Sequence, residues 1–174
     1  MPTQGSDQDR IYRQAAEIYG AALERLARAY EADTDARRDL LQEIHIGLWR
    51  SFEGFDQRCS LRTWIYRVAH NVSTSHVLRQ RRARLQNMVG LEDLENLPDA
   101  RVNDTDQRHA LDRLLVLIQK LNPLDRQVIL SYLEGLDAAE IGQITGLKPG
   151  NVATKIHRIK AVLARRFQGG IHNE

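Results

Sequence analysis

Apolar residues in this chain recur at intervals of three and four, in one segment after another, and that spacing commits it to helices. Between Ile11 and Tyr30 the positions Ile11, Ala15, Ile18, Ala22, Leu26 and Ala29 line one helix face. A second helix follows Asp35, with Leu40, Leu41, Ile44, Leu48 and Phe52 on one side. Glu53 to Ser60 holds Gly54 and polar residues and reads as a loop, after which Ser60 can cap a third helix. That helix turns Leu61, Trp64, Ile65, Val68, Val72 and Leu78 inward and its arginines outward. Further on, Leu111 to Leu121 forms a helix with Leu111, Leu114, Leu115 and Ile118 inward, and Asn122-Pro123 caps and starts the next. Asp137 with Glu140 three positions on is a capping box, Gly146 ends the short helix it opens, and Pro149 starts the last helix. The buried stripe of that helix is Val152, Ile156, Ile159 and Leu163. The expected fold class is all-α.

Charge is distributed unevenly along these helices. Net charge is only +2, yet no acid lies between Asp56 and Glu92, where seven arginines do. None lies between Glu140 and Glu174 either, a window with six lysines and arginines. Two acid-free windows are the electrostatic footprint of a polyanion binder with two contact surfaces. Between them, from Leu85 to Gln107, periodicity fades and Glu92, Asp93, Glu95, Asp99, Asp104 and Asp106 gather around Pro98, an acidic linker. Extended, it would reach roughly 75 Å. Leu91, Leu94 and Leu97 are candidates to dock on a neighbour.

Several function classes are disfavoured. The longest aliphatic run is Leu114 to Ile118, far below the ~20 residues of a membrane span, and Met1 to Arg10 is too polar for a signal peptide. Cys59 is the single cysteine, so a thiolate zinc cage and an intramolecular disulfide are both excluded, which fits a reducing cytoplasm. It is either a small loop residue or a thiol activated by its basic surroundings. Glu43-Ile44-His45 lacks metalloprotease spacing, His70 and His76 stand six apart, and no glycine-rich phosphate loop occurs. Neither an enzyme nor a metal or cofactor is expected.

The short helix, the turn at Gly146 and the basic helix after it make a helix-turn-helix pattern, although a generic helical hairpin shows similar spacing. On that pattern Asn151, Thr154, Lys155 and Arg158 lie opposite the apolar stripe, where base edges are read. Two longer stretches complete the picture. Asp39-Leu40-Leu41-Gln42-Glu43, Trp49-Arg50, Phe55 and Trp64 through Asn71 resemble region two of bacterial extracytoplasmic-function (ECF) sigma factors of the sigma-70 family. Leu121 through Val128, Tyr132 through Leu136, Glu140-Ile141 and Gly150 through Arg158 resemble their region four.

That resemblance, over about Ile11 to Phe167, implies two small helical domains. Residues 8–84 would be region two, 85–107 the acidic linker, and 108–168 the region-four helix-turn-helix. Region two is implied to bind the clamp helices of the largest RNA polymerase subunit through Asp39, Gln42, Glu43, Trp49 and Arg50, with Trp49 alternatively a core residue. The −10 strand, with one base flipped, is implied to meet the loop at Gln57, Arg58 and Ser60, together with Arg67, Asn71, Arg79 and Arg82. Trp64 and Tyr66 either stack on bases or fill the core. Asn151, Thr154, Lys155, His157 and Arg158 are implied to read the −35 element. Lys155 stands where the family commonly carries arginine, so the −35 sequence is not transferable from a relative. Implied partners are core polymerase, including its flap, promoter DNA and an anti-sigma factor, in the cytoplasm and with no membrane insertion. The alternative is a dimeric helix-turn-helix regulator that binds duplex DNA without polymerase, which gives no reason for the first cationic window.

Overall fold

The computed structural model describes residues 4–87 and 107–169, and every regular element among them is helical. Helices α1 (Gln4–Tyr30), α2 (Thr34–Ser51) and α3 (Leu61–Asn87) pack on one another, as do α4 (Gln107–Gln119), α5 (Pro123–Leu133), α6 (Ala138–Thr145) and α7 (Pro149–Gly169). The expected linker lies outside the described residues over 88–106, with Leu91, Leu94 and Leu97. At its two ends α3 extends through Asn87 and α4 begins at Gln107.

Local signals explain most helix ends. Asp33, two residues ahead of the expected start, caps α2 by accepting from the N–H groups of Asp35 and Ala36 at 3.1 and 2.9 Å, worth about 1 kcal/mol. Ser60 Oγ accepts from Thr63 N–H at 3.1 Å and starts α3. Asn122 caps α5 with Pro123 behind it, and the Asp137–Glu140 capping box is complete, with both bonds within 2.9 Å. Gly146 closes α6 in the left-handed region at φ 78°, a conformation glycine adopts without steric cost. A side chain at Gly142 would place its Cβ 2.6 Å from the Leu147 carbonyl oxygen, so α6 and the turn into α7 touch backbone to backbone there.

Three apolar expectations fail. Ile18 is 59% exposed. It lies about 110° around the helix from the face that Tyr19, Leu23, Leu26 and Tyr30 turn inward. Leu78 is exposed because thirteen positions past Ile65 is the opposite side of α3. Leu111 shares the face of Ile118 but lines an apolar groove between α4 and α7 with Leu114, Leu163 and Phe167, and is half-exposed.

Helix α3 is covered on two sides. Its apolar side, with Ile65 and Ala69 fully buried, meets α1 and α2. A second side, carrying Tyr66, His70 and Ser73, is buried as well, against α1 and the helices of the C-terminal half. His70 is the centre of this contact, Nδ1 3.0 Å from Tyr30 Oη and Nε2 3.0 Å from Ser131 Oγ. Both hydroxyls can donate or accept, so a neutral imidazole of either tautomer is satisfied. Beside it the Arg126 guanidinium sits 5.2 Å from the Tyr30 ring and donates to the carbonyls of Gln119 and Leu121.

Complete burial pushes the His70 pKa down to about 3, from an ordinary value of 6.5. Below pH 6.5 the unfolded chain binds a proton that the folded chain refuses, so the contribution is present above 6.5 and is lost as pH falls toward 3. Urea unfolding at pH 7.5 and 4.5 should differ by about 3 kcal/mol from this group, and His70→Gln should flatten that difference. An equal acid loss in both proteins would show that the imidazole is not enclosed.

Candidate nucleic-acid interface

Helix α2 buries Leu40, Ile44 and Leu48, half-buries Leu41, His45 and Gly47 and turns a polar face outward. Asp39, Gln42, Trp49 and Arg50 are exposed and Glu43 is half-buried, all within about 120° of arc around Ile46, itself 43% exposed. Ile46 was not among the expected contacts. An isoleucine off the Leu40–Ile44–Leu48 stripe is the signal that could have found it. Trp49 is 41% exposed and donates from Nε1 to Asp9 at 2.8 Å, so it belongs to the surface and not to the core.

The loop before α3 is built on aromatics. Phe55 lies between Phe52 and Trp64, ring centroids 6.4 and 5.3 Å away, and Trp64 Nε1 donates to Ser51 Oγ at 2.9 Å. Tyr66 is buried under Glu134. Both rings are therefore structural. Gln57 turns the loop at φ 61°, a left-handed conformation unusual for a residue with a Cβ. Its side chain and those of Arg58 and Ser60 are exposed, with Arg58 2.8 Å from Asp56. Arg67 is half-buried behind the loop. It donates to Cys59 Sγ at 3.0 Å and lies 5.3 Å from the Trp64 ring, tying loop to helix. A cleft of about 670 Å³ in front of the loop is lined by Gln57, Arg58, Cys59 and Ser60, and from α6 by Glu140 and Gln143.

Along α3, Arg67, Asn71, Leu78 and Arg82 follow one outer face beyond the loop. Arg79 does not join them. It leans onto α2 and pairs with Glu43 at 2.5 Å, linking one expected DNA contact to one expected polymerase contact. Glu43 also stands 3.8 Å from His76. On α7, Asn151, Thr154, His157 and Arg158 share the exposed face, and Val152, Ile159 and Leu163 are buried. Lys155 sits at the edge of that face and reaches back to Asp125 at 2.5 Å. Among the described residues no group of histidine, cysteine and acidic side chains could hold a metal ion.

The two cationic surfaces are joined by contacts the sequence did not suggest. Arg25 of α1 grips the Glu134 carboxylate through two bonds of 2.9 and 2.8 Å, and Tyr66 Oη donates to it at 3.2 Å. Arg62 donates to the Glu134 carbonyl at 2.5 Å. The bond from Arg25 holds the Glu134 carboxyl below its ordinary pKa against the opposing effect of burial. Arg28 pairs with Asp112 on α4.

Comparison with known proteins accounts for this arrangement. The sigma-70 region 2 family matches residues 16–83, and the sigma-70 region 4 family matches residues 111–163. The ECF RNA polymerase sigma factor SigL of Mycobacterium tuberculosis is 30% identical over 152 residues, 84% of this chain and 83% of its own. CnrH, solved with the cytosolic domain of CnrY, shares the fold at TM-score 0.68 and 22% identity, over 95% of this chain and 93% of that one. RpoE of Bartonella quintana, solved with the anti-sigma factor NepR, does so at TM-score 0.66 and 20% identity, over 94% and 98%. A free-standing dimeric regulator is not favoured, since region two has no place in it. With both regions matched in order and that relative aligned along most of both chains, the chain belongs to the ECF RNA polymerase sigma factors, promoter-specific initiation factors that bind RNA polymerase and catalyse no reaction themselves.

Proposed function

We propose that the three exposed faces divide the work of initiation. Residues 8–84 form region two, 108–168 region four, and 85–107 the acidic connection between them. The α2 face of Asp39, Gln42, Glu43, Trp49 and Arg50, with Ile46 at its centre, docks on the clamp helices of the largest polymerase subunit. A rim of polar groups around an exposed isoleucine and tryptophan is the composition of a protein interface. Region four meets the flap.

Gln57, Arg58 and Ser60 receive the −10 strand, and Asn71 offers an amide able to pair with a base edge. Arg67 holds the loop in shape, Arg82 faces the backbone phosphates, and Arg79 joins it once it leaves Glu43. Asn151, Thr154, His157 and Arg158 read the −35 element, and Lys155 contributes once it leaves Asp125. The single observation behind this reading is that both acid-free windows end on exposed faces, one beside the loop and one on α7, apart from the α2 face. Such a protein works in the cytoplasm with its polymerase. No described helix is long and apolar enough to cross a membrane. An anti-sigma factor is a further expected partner, as RpoE was solved in complex with the anti-sigma factor NepR.

Run-off transcription with purified core polymerase tests the reading directly. Promoter-dependent initiation is expected, and tight duplex binding with no polymerase present would instead favour a dimeric regulator. Arg158→Ala should reduce −35 protection and transcription by roughly 5- to 100-fold, and Lys155→Ala by less because Asp125 already occupies that ammonium. An unchanged −35 footprint for Arg158→Ala would remove α7 from the assignment. Asn71→Ala should cut transcription about tenfold on duplex promoter and much less on a template melted in advance. Equal losses on the two templates would place Asn71 outside strand opening.

A further inference from the structure

We infer that Thr154 is a specificity-determining residue of α7 and selects a thymine through contact between its own methyl group and the C5 methyl of the base, while its hydroxyl takes no part in base reading. The inference rests on the assignment of α7 to the −35 element, and adds the base chemistry that one position of that face selects.

Position singles this residue out. At 100° per residue, Thr154 stands about 180° around α7 from Leu163 and within about 40° of opposite to Val152, Ile156 and Ile159. Val152, Ile159 and Leu163 are buried. Of the α7 residues expected on DNA, Thr154 is therefore turned most squarely away from the body of the protein. Asn151, His157 and Arg158 flank it at about 40° to 60°, and Lys155 stands at the edge, held by Asp125. Thr154 lies in the second turn of α7, in the part of a recognition helix that meets base edges. One turn earlier, at Gly150, a Cβ would find nothing within 4 Å, so that side of Thr154 is open to an approaching base.

The hydroxyl is already committed. Thr154 Oγ1 donates to the Gly150 carbonyl at 3.0 Å, the back-bond to the preceding turn that a helical threonine can make. With its one proton spent there, the hydroxyl has none to give to the N7, O6 and O4 acceptors of the major groove. Its oxygen keeps a lone pair for the amino group of adenine or cytosine, an alternative that the test separates. The same bond restrains the side-chain torsion, so the Cγ2 methyl is aimed before DNA arrives and little rotamer freedom is lost on contact. Among the four bases only thymine carries a methyl at the major-groove edge. Burying one methyl is worth about fourfold in affinity.

The test uses the full chain assembled with core polymerase. The holoenzyme first selects its preferred −35 sequence from a promoter library randomised over that element. Each thymine of the selected element, on either strand, is then replaced by deoxyuridine, which lacks the C5 methyl and keeps the same hydrogen-bonding edge. Promoter affinity is read from −35 protection in a holoenzyme titration. One replacement should weaken binding about fourfold for the native protein and for Thr154→Val, which keeps the methyl and loses the hydroxyl. It should hardly matter to Thr154→Ser, which loses the methyl. A selected element with no methyl-sensitive thymine, or one whose methyl matters equally to Thr154→Ser, overturns the inference. So does native behaviour of Thr154→Ser with loss in Thr154→Val, because the hydroxyl would then be the reading group. Arg158→Ala on the same templates judges the underlying assignment. If it and both Thr154 variants leave −35 protection unchanged, α7 is not on the −35 element. Loss with Arg158→Ala beside an unaltered thymine response in Thr154→Ser removes the methyl reading alone.

Discussion

The imidazole of His70 is enclosed between a hydroxyl from α1 and one from α5, and the two halves of the chain meet over it. A polar ring in that position has to be neutral and fully hydrogen-bonded, because an unsatisfied or charged group there would cost several kcal/mol. That requirement fixes where Tyr30 and Ser131 stand. Three residues past Ser131, at the end of α5, Glu134 meets Arg25 and Arg62. Helix α3 consequently serves as the common spine, with apolar packing toward α2 on one side and a polar seam toward region four on the other.

The same economy governs the cations. Three of the basic residues expected on DNA are engaged inside the protein: Arg67 by Cys59 and the Trp64 ring, Arg79 by Glu43, and Lys155 by Asp125. The Arg79 pair is largely solvent-exposed and worth less than about 1 kcal/mol, so a phosphate can displace its carboxylate. Arg67 differs, because its guanidinium is half-buried and shapes the loop from behind. Counting arginines in a window therefore measures potential contacts, and the folded protein sorts them into supports and ligands.

Elements whose determinants are local were legible in the sequence. Asn122-Pro123, Asp137 with Glu140, Gly146 and Pro149 each act within one helical turn, and α5, α6 and α7 begin, and α6 ends, where they direct. The outward residues of α7 followed from its apolar stripe. The second buried side of α3 was not legible, because Tyr66, His70 and Ser73 are polar-tipped residues. The partners of His70 lie 40 and 61 positions away, and no periodicity records them. Arg25 and Glu134, 109 positions apart, were hidden for the same reason. Ile18 and Leu78 were misplaced because a three-or-four spacing tolerates drift that the helix geometry does not.

The glycine at 142 divides the helix-turn-helix into parts that can and cannot be altered. Its missing side chain lets the Leu147 carbonyl sit against α6, and any larger residue would pry the two helices apart and re-aim everything downstream. Asn151, His157 and Arg158 face away from that joint. On the proposed −35 assignment they would form a cassette of outward side chains, exchangeable without touching the joint, and promoter preference would be separable from the scaffold that presents it.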